Sequence, residues 1–177
     1  MVPLSDAPPV PRGSSGVRCS DRGQTVDMDD LVALAERIAR AAHDGQTDKA
    51  GMPYAEHPAR FARRVADDPY AVATAWLHDV LEDSAVTAED LLAHGIPERV
   101  VAAVQSLTRR ADHTSADYYA TVAADPLALR VKYADLADNC DPERLAVLKA
   151  ADPQTAERLQ VKYAHATSEL RRLSGGV

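Results

Sequence analysis

Pro69-Tyr70-Ala71-Val72-Ala73-Thr74-Ala75-Trp76-Leu77-His78-Asp79-Val80-Leu81-Glu82-Asp83 is the stretch that decides the fold. From Tyr70 to Leu81 it is almost continuously apolar and rich in Ala. Such a run, without turn residues, predicts a helix buried around most of its circumference. Pro69 fits the start, because the N–H it lacks is one that a first helical turn leaves unpaired anyway. Two ligand-type residues, His78 and Asp79, close the run, and a second pair, Glu82 and Asp83, follows one turn later. Read as one helix, His78 faces Glu82 and Asp79 faces Asp83. Three carboxylates that close together repel one another and resist ionisation in a partly buried site. A bound divalent cation relieves the repulsion by stabilising the charged forms. A solvated helix end with a chance His-Asp pair accounts for the same residues, so this segment alone leaves both readings open.

Working outward, the pattern is helical nearly throughout. Leu31, Leu34, Ala35, Ile38 and Ala41 recur at steps of three and four, with Asp27 placed to cap the helix they define. Gly45 to Pro53 reads as a loop, and a helix is expected from about Glu56 to Ala66. Thr87 and Asp90 form a capping pair for a short helix that His94-Gly95 ends. Pro97 opens the next helix, to about Leu107, and Arg109 to Ser115 is a polar loop. Further helices start near Ser115, Pro126, Pro142 and Pro153, the last running to Leu173. No strand alternation and no internal repeat stand out. The expected class is all-α, a helical bundle.

The chain has 177 residues, enough for one domain of ordinary size. Residues 1–27, rich in Pro, Ser, Gly and Asp, read as a disordered tail, and 28–177 as the domain. Either the tail is a genuine appendage or translation starts at Met28. Hydrophobic residues make up 46% and aromatics 5%, a balance that favours helix over strand. Twenty basic residues against 27 acidic ones give a net charge of −7, which argues against a broad nucleic-acid face. An acidic chain binds phosphate only where a metal or a few placed cations act locally. Two cysteines, Cys19 and Cys140, suggest neither a disulfide nor a zinc cluster. No apolar run is long enough to span a membrane, and the opening residues lack a signal peptide's apolar core, so the expected location is the cytoplasm.

Two more segments carry ligand-type residues. In Asp135-Leu136-Ala137-Asp138-Asn139, the residues Lys132, Asp135 and Asn139 share one helical stripe; that stripe is equally the solvated side of a helix. In Pro53-Tyr54-Ala55-Glu56-His57-Pro58, His57 falls at a helix start. The positive end of the helix there disfavours an imidazolium and leaves the imidazole to a metal, although a lone His before Pro is also a common capping or surface residue.

Taken together and in order, His57, His78-Asp79 and Asp135 resemble the H…HD…D pattern of the HD phosphohydrolase superfamily. More narrowly, Ala42-His43-Asp44-Gly45-Gln46, Gly51-Met52-Pro53-Tyr54, His78-Asp79-Val80-Leu81-Glu82-Asp83 and Val131-Lys132-Tyr133-Ala134-Asp135 with Asn139 resemble the hydrolase domain of RelA/SpoT proteins, whose standalone members are small alarmone hydrolases. The resemblance covers roughly residues 30 to 170. It implies an HD-domain bundle that removes pyrophosphate from the 3′ position of (p)ppGpp. It implies one divalent cation, Mn²⁺, on His57, His78, Asp79 and Asp135. Glu82 and Asp83 match the acidic pair that positions and activates water, with Glu82 the first choice as base. Asn139 matches a nucleotide contact, and His43 a structural support for the loop before His57. Lys49 and Lys132 are candidate phosphate clamps, Arg109 and Arg110 candidates for a distal phosphate, and Tyr163 for the ribose. The partner implied is a nucleotide polyphosphate, with neither nucleic acid nor membrane; the oligomeric state is not implied.

The resemblance breaks at one place. Relatives commonly carry Arg-Lys-Ser-Gly where this chain has Asp48-Lys49-Ala50-Gly51. An Asp neither stacks on a purine nor attracts phosphate as guanidinium does. The expected substrate is therefore a guanosine or adenosine polyphosphate. Another nucleotide phosphohydrolase or nucleotidase on the same scaffold, and a nucleotide sensor of low turnover, are the competing readings. His94, His113 and His165 are expected to be ordinary surface or boundary residues, and Cys140 a small packing residue.

Overall fold

The computed structural model describes residues 20–21, 24–25, 27–47 and 52–175. Its helices are α1 (Met28–Ala42), α2 (Glu56–Ala62), α3 (Pro69–Leu77), α4 (Val80–Asp83), α5 (Ala88–Ala93), α6 (Glu98–Leu107), α7 (Ser115–Ala124), α8 (Pro126–Asn139), α9 (Pro142–Ala151) and α10 (Pro153–Leu173). Two strands of two residues, Ser20–Asp21 and Gln24–Thr25, pair antiparallel within the segment read as a tail. The rest of that segment lies outside the described residues.

The starts of these helices follow local chemistry. Asp27, Asp68, Asp125, Asp141 and Asp152 each accept a backbone N–H from the first turn of the helix they precede. Thr87 with Asp90, and Thr114 with Asp117, form reciprocal capping boxes. Gly95, at φ 90°, makes the left-handed turn out of α5 that a side chain would resist.

Helix α3 is the centre. It packs against α1, α2, α6 and α8, and this is possible because Ala71, Ala73 and Ala75 are fully buried and let the other helices approach closely. Leu31, Ala35, Ile38 and Ala39 supply the α1 side, Phe61 the α2 side, and Ala128 and Val131 the α8 side. Leu77 is 0% exposed at the end of α3. Its truncation to Ala would cost about 2–5 kcal/mol, since so dense a core does not collapse fully around the cavity.

Two expectations are corrected here. The helix over 70–81 does not run through. It stops at Leu77, His78 and Asp79 form a turn, and α4 begins at Val80. Asp79, at φ −108° and ψ 0°, sits in the sparsely used bridge region. The apolar run encodes burial on both sides of the break and so hides it. The helix expected over 56–66 ends its α-helical part at Ala62 and finishes as a tighter turn over Arg63–Val65. Helix α9 packs on α10, and its side chains are at most half-buried. No helix among the described residues is long and apolar enough to cross a membrane.

Candidate functional site

The packing of α2, α3 and α8 decides the site. His57 lies in the first turn of α2, His78 in the turn after α3, and Asp135 in the third turn of α8. Ligand atoms of His57, His78 and Asp135 lie within 4.8 Å of one another, and all three residues are buried. Asp79 lies outside that trio but joins it through His78, whose Nε2 is 2.8 Å from Asp79 Oδ2. Phe61 braces both rings, its centroid 5.0 Å from that of His57 and 4.8 Å from that of His78.

The outer hydrogen bonds fix which nitrogen points inward. His78 Nδ1 is 2.9 Å from the carbonyl oxygen of Ala75, and His57 Nδ1 is 3.1 Å from Asp138 Oδ2. A carbonyl and a carboxylate only accept, so both Nδ1 atoms carry hydrogen and donate. Each Nε2 then faces a carboxylate, His78 toward Asp79 and His57 toward Asp135 at 3.3 Å. Two nitrogens and two carboxylates that meet in this way need either protons or a shared cation between them. Imidazole and carboxylate together suit a borderline-hard divalent metal, so the residues fit the cation that the sequence pattern implies.

The carboxylates stay charged. Burial opposes ionisation of Asp135, but the Lys132 ammonium and the hydrogen bond with His57 outweigh it and hold the carboxyl below the usual range. Burial also opposes ionisation of Asp79, and there the charge and hydrogen bond of His78, with the Tyr54 hydroxyl, prevail. His57 does not follow the sequence expectation. Burial and the helix start disfavour its charge, yet hydrogen bonds with Asp135 and Asp138 push it up to about 9. Two carboxylates at bonding distance outweigh the fractional charge of a short helix.

The site opens into a cavity of about 740 Å³, within the usual range for small-molecule pockets. Asp79, Glu82, Asp83 and Asp135 line it together with the basic residues Arg109, Lys132, Arg144 and Lys162. Glu82 Oε2 accepts from the backbone N–H of Arg109 at 3.0 Å. Asn139 Nδ2 donates to Asp135 Oδ1 at 2.5 Å, and Lys132 Nζ to Asp135 Oδ2 at 2.8 Å. Tyr163 lines the cavity half-buried, and Leu145, Val147 and Leu148 of α9 give it an apolar side.

Other expected residues fall differently. Arg109 stacks over Tyr118, its guanidinium carbon 4.1 Å from the ring centroid, and faces the cavity. Arg110 instead pairs with Asp112 on the surface and does not line the cavity. Cys140 is exposed rather than packed, because it caps α8 just past its buried face. His43 is buried, its ring centroid 4.5 Å from that of Tyr54, and its Nδ1 donates to Gln46 Oε1 at 2.9 Å. Lys49 and Asp48 lie outside the described residues. Two side chains escaped the sequence reading. Tyr54 donates its hydroxyl hydrogen to Asp79 Oδ2, and its place in Pro53-Tyr54, three residues before His57, was the available signal. Asp138 meets His57, and its spacing of three from Asp135 was the signal there.

No family model matches the chain. It is 50% identical over 60 residues to the guanosine-3′,5′-bis(diphosphate) 3′-pyrophosphohydrolase of Vibrio cholerae, and 31% identical over 119 residues to the protein of that name from Aquifex aeolicus. In these stretches the chain is similar to the RelA/SpoT-type HD hydrolases. These matches cover 32% and 61% of this chain, and only 8% and 17% of the two proteins, so the chain spans less than a fifth of their length. A solved metazoan SpoT orthologue, described as hydrolysing ppGpp, shares the fold: TM-score 0.64 and 21% identity over 80% of this chain and 85% of that one. The all-helical HD bundle expected from the sequence is therefore the fold that is found.

Proposed function

We propose that this HD domain is a metal-dependent phosphohydrolase that removes pyrophosphate from the 3′ position of a guanosine or adenosine polyphosphate. The observation that carries the reading is the convergence of His57, His78 and Asp135 within 4.8 Å on one wall of a nucleotide-sized cavity. The named activities of the Vibrio and Aquifex proteins support the reaction. We assign the catalytic unit to residues 28–177, with 1–27 as a tail outside it, and Mn²⁺ to His57, His78, Asp79 and Asp135.

A divalent cation held there offsets the repulsion between a nucleophile and the phosphoryl oxygens and makes water more acidic. The chain's own residues do the rest. Glu82, tethered by the Arg109 N–H, takes a proton from the attacking water, with Asp83 beside it. The water oxygen bonds to phosphorus and the bond from that phosphorus to the 3′ oxygen breaks; pyrophosphate departs, and the proton taken by Glu82 is returned to the 3′ oxygen, which leaves as a hydroxyl. Lys132 and Arg109 neutralise phosphate charge from the cavity lining. Asn139 and Tyr163 meet the nucleoside, and Lys49 is assigned a phosphate.

A substrate panel with metal analysis of the same sample tests this. Pyrophosphate released from (p)ppGpp or (p)ppApp supports it. Orthophosphate released from simple mononucleotides alone makes the protein a nucleotidase. Tight nucleotide binding without product in excess Mn²⁺ makes it a sensor.

A further inference from the structure

Asp138 is 3% exposed on α8 and is not among the residues that line the cavity. Its Oδ2 accepts from His57 Nδ1 at 3.1 Å. Arg60 Nε lies 3.3 Å from its Oδ1, and Arg144 Nε is 3.8 Å from Oδ2. Asp135, three residues earlier on the same helix, faces the other ring nitrogen. One turn of α8 thus holds both edges of a single imidazole, at a spacing set by the helix backbone. His78 is built otherwise, because its Nδ1 meets a neutral carbonyl of its own helix.

We propose that Asp138 is a positioning residue for the cation site, fixing the tautomer and orientation of His57 and strengthening that ring as a ligand through its negative charge. A carboxylate behind a ligating imidazole does both, because it accepts the Nδ1 hydrogen and returns electron density to Nε2. Arg60 and Arg144 keep that carboxylate placed and balanced, and Arg144 ties it to α9, a wall of the cavity. The inference rests on the reading of His57 as a metal ligand.

Titration calorimetry of the full chain with Mn²⁺, on wild type, Asp138→Ala, Asp138→Asn and His57→Ala, tests it. Asp138→Ala is expected to weaken Mn²⁺ binding by about 10–100-fold. Asp138→Asn, which keeps an acceptor but loses the charge, should fall between it and wild type. The rise in Tm on adding Mn²⁺ should shrink in the same order, whereas a merely structural role would lower Tm with and without Mn²⁺ alike. Wild-type affinity in folded Asp138→Ala overturns the inference and leaves the metal site standing. If Asp138→Ala does not fold, Asp138→Asn decides, and wild-type affinity there overturns it. Absence of Mn²⁺ binding by wild type and His57→Ala alike overturns the metal reading and this inference together.

Discussion

The Tyr54 hydroxyl donates to Oδ2 of Asp79, the same oxygen that meets His78 Nε2. The loop before α2 is thereby tied to the turn after α3. His43 stacks on Tyr54, and Gln46 joins His43 Nδ1 to the carbonyl oxygen of Asp83. His43, Gln46 and Tyr54 thus brace the carboxylate at the α3–α4 break, and none of the three needs to touch substrate to matter.

Tyr54→Phe removes that donor and little else. A hydrogen bond to a charged group contributes about 1.5–3 kcal/mol, so urea unfolding should show a loss of that order. Mn²⁺ affinity should fall as well, because Asp79 is no longer aimed at the site. Equal stability together with unchanged affinity would show that the tie is incidental.

His78→Ala and Asp79→Ala should each abolish both bound metal and turnover. His78 is buried against Phe61 and faces Asp79 across 2.8 Å, so either change opens the donor set. Metal content by mass spectrometry and product release are the two measurements. Turnover surviving in the purified double variant refutes the assignment of the site.

Local features are legible in the sequence and long-range ones are not. Caps are local chemistry, so Asp27, Thr87 with Asp90, and the prolines at 97, 126 and 153 gave helix starts to within a residue or so. His57, His78 and Asp135 were legible only as an ordered pattern; each segment alone suited a solvated surface. The break at His78–Asp79 was hidden because an apolar run reports burial and not backbone direction. Arg109 and Arg110 are adjacent and chemically identical, and only the packing of Tyr118 under one of them separates their roles. Asp138 looked like one more polar residue on a stripe, since its partner is 81 positions away in the chain.

The pH dependence of metal binding follows from His57. Its value rises from 6.5 to about 9, because hydrogen bonds with Asp135 and Asp138 outweigh the cost of burying the charge. A raised value means that the folded state binds the proton more tightly than the unfolded one. In protein stripped of metal, the stability this proton adds is full below pH 6.5 and is lost as pH rises through about 9. Metal must displace that proton, so affinity should climb roughly tenfold per unit between about pH 6.5 and 8.5, with about one proton released. Calorimetry in buffers of different ionisation enthalpy counts the proton. A flat affinity over that interval would contradict the shift.

Glu82→Gln should keep the metal and lose most of the rate. Glu82 lies outside the cation trio, and its tether is the Arg109 N–H, which an amide oxygen also satisfies. What the amide lacks is the capacity to take a proton, a loss worth about 10²–10⁴-fold in kcat. Undiminished kcat would move the role to Asp83 or to the substrate itself.

Asp48 lies outside the described residues, and its charge is expected to bear on specificity. By the sequence resemblance, Asp48 stands where relatives commonly carry Arg, a difference of two charge units. Asp48→Arg should therefore raise kcat/KM for (p)ppGpp. Exposed charge contacts contribute about 0.2–1 kcal/mol each, so the gain should be a few-fold rather than a hundredfold, and it should shrink as salt is added. Steady-state kinetics with (p)ppGpp and (p)ppApp at two salt concentrations measure it. A loss, or a salt-independent gain, would mean that Asp48 does not limit the use of guanine nucleotides through its charge.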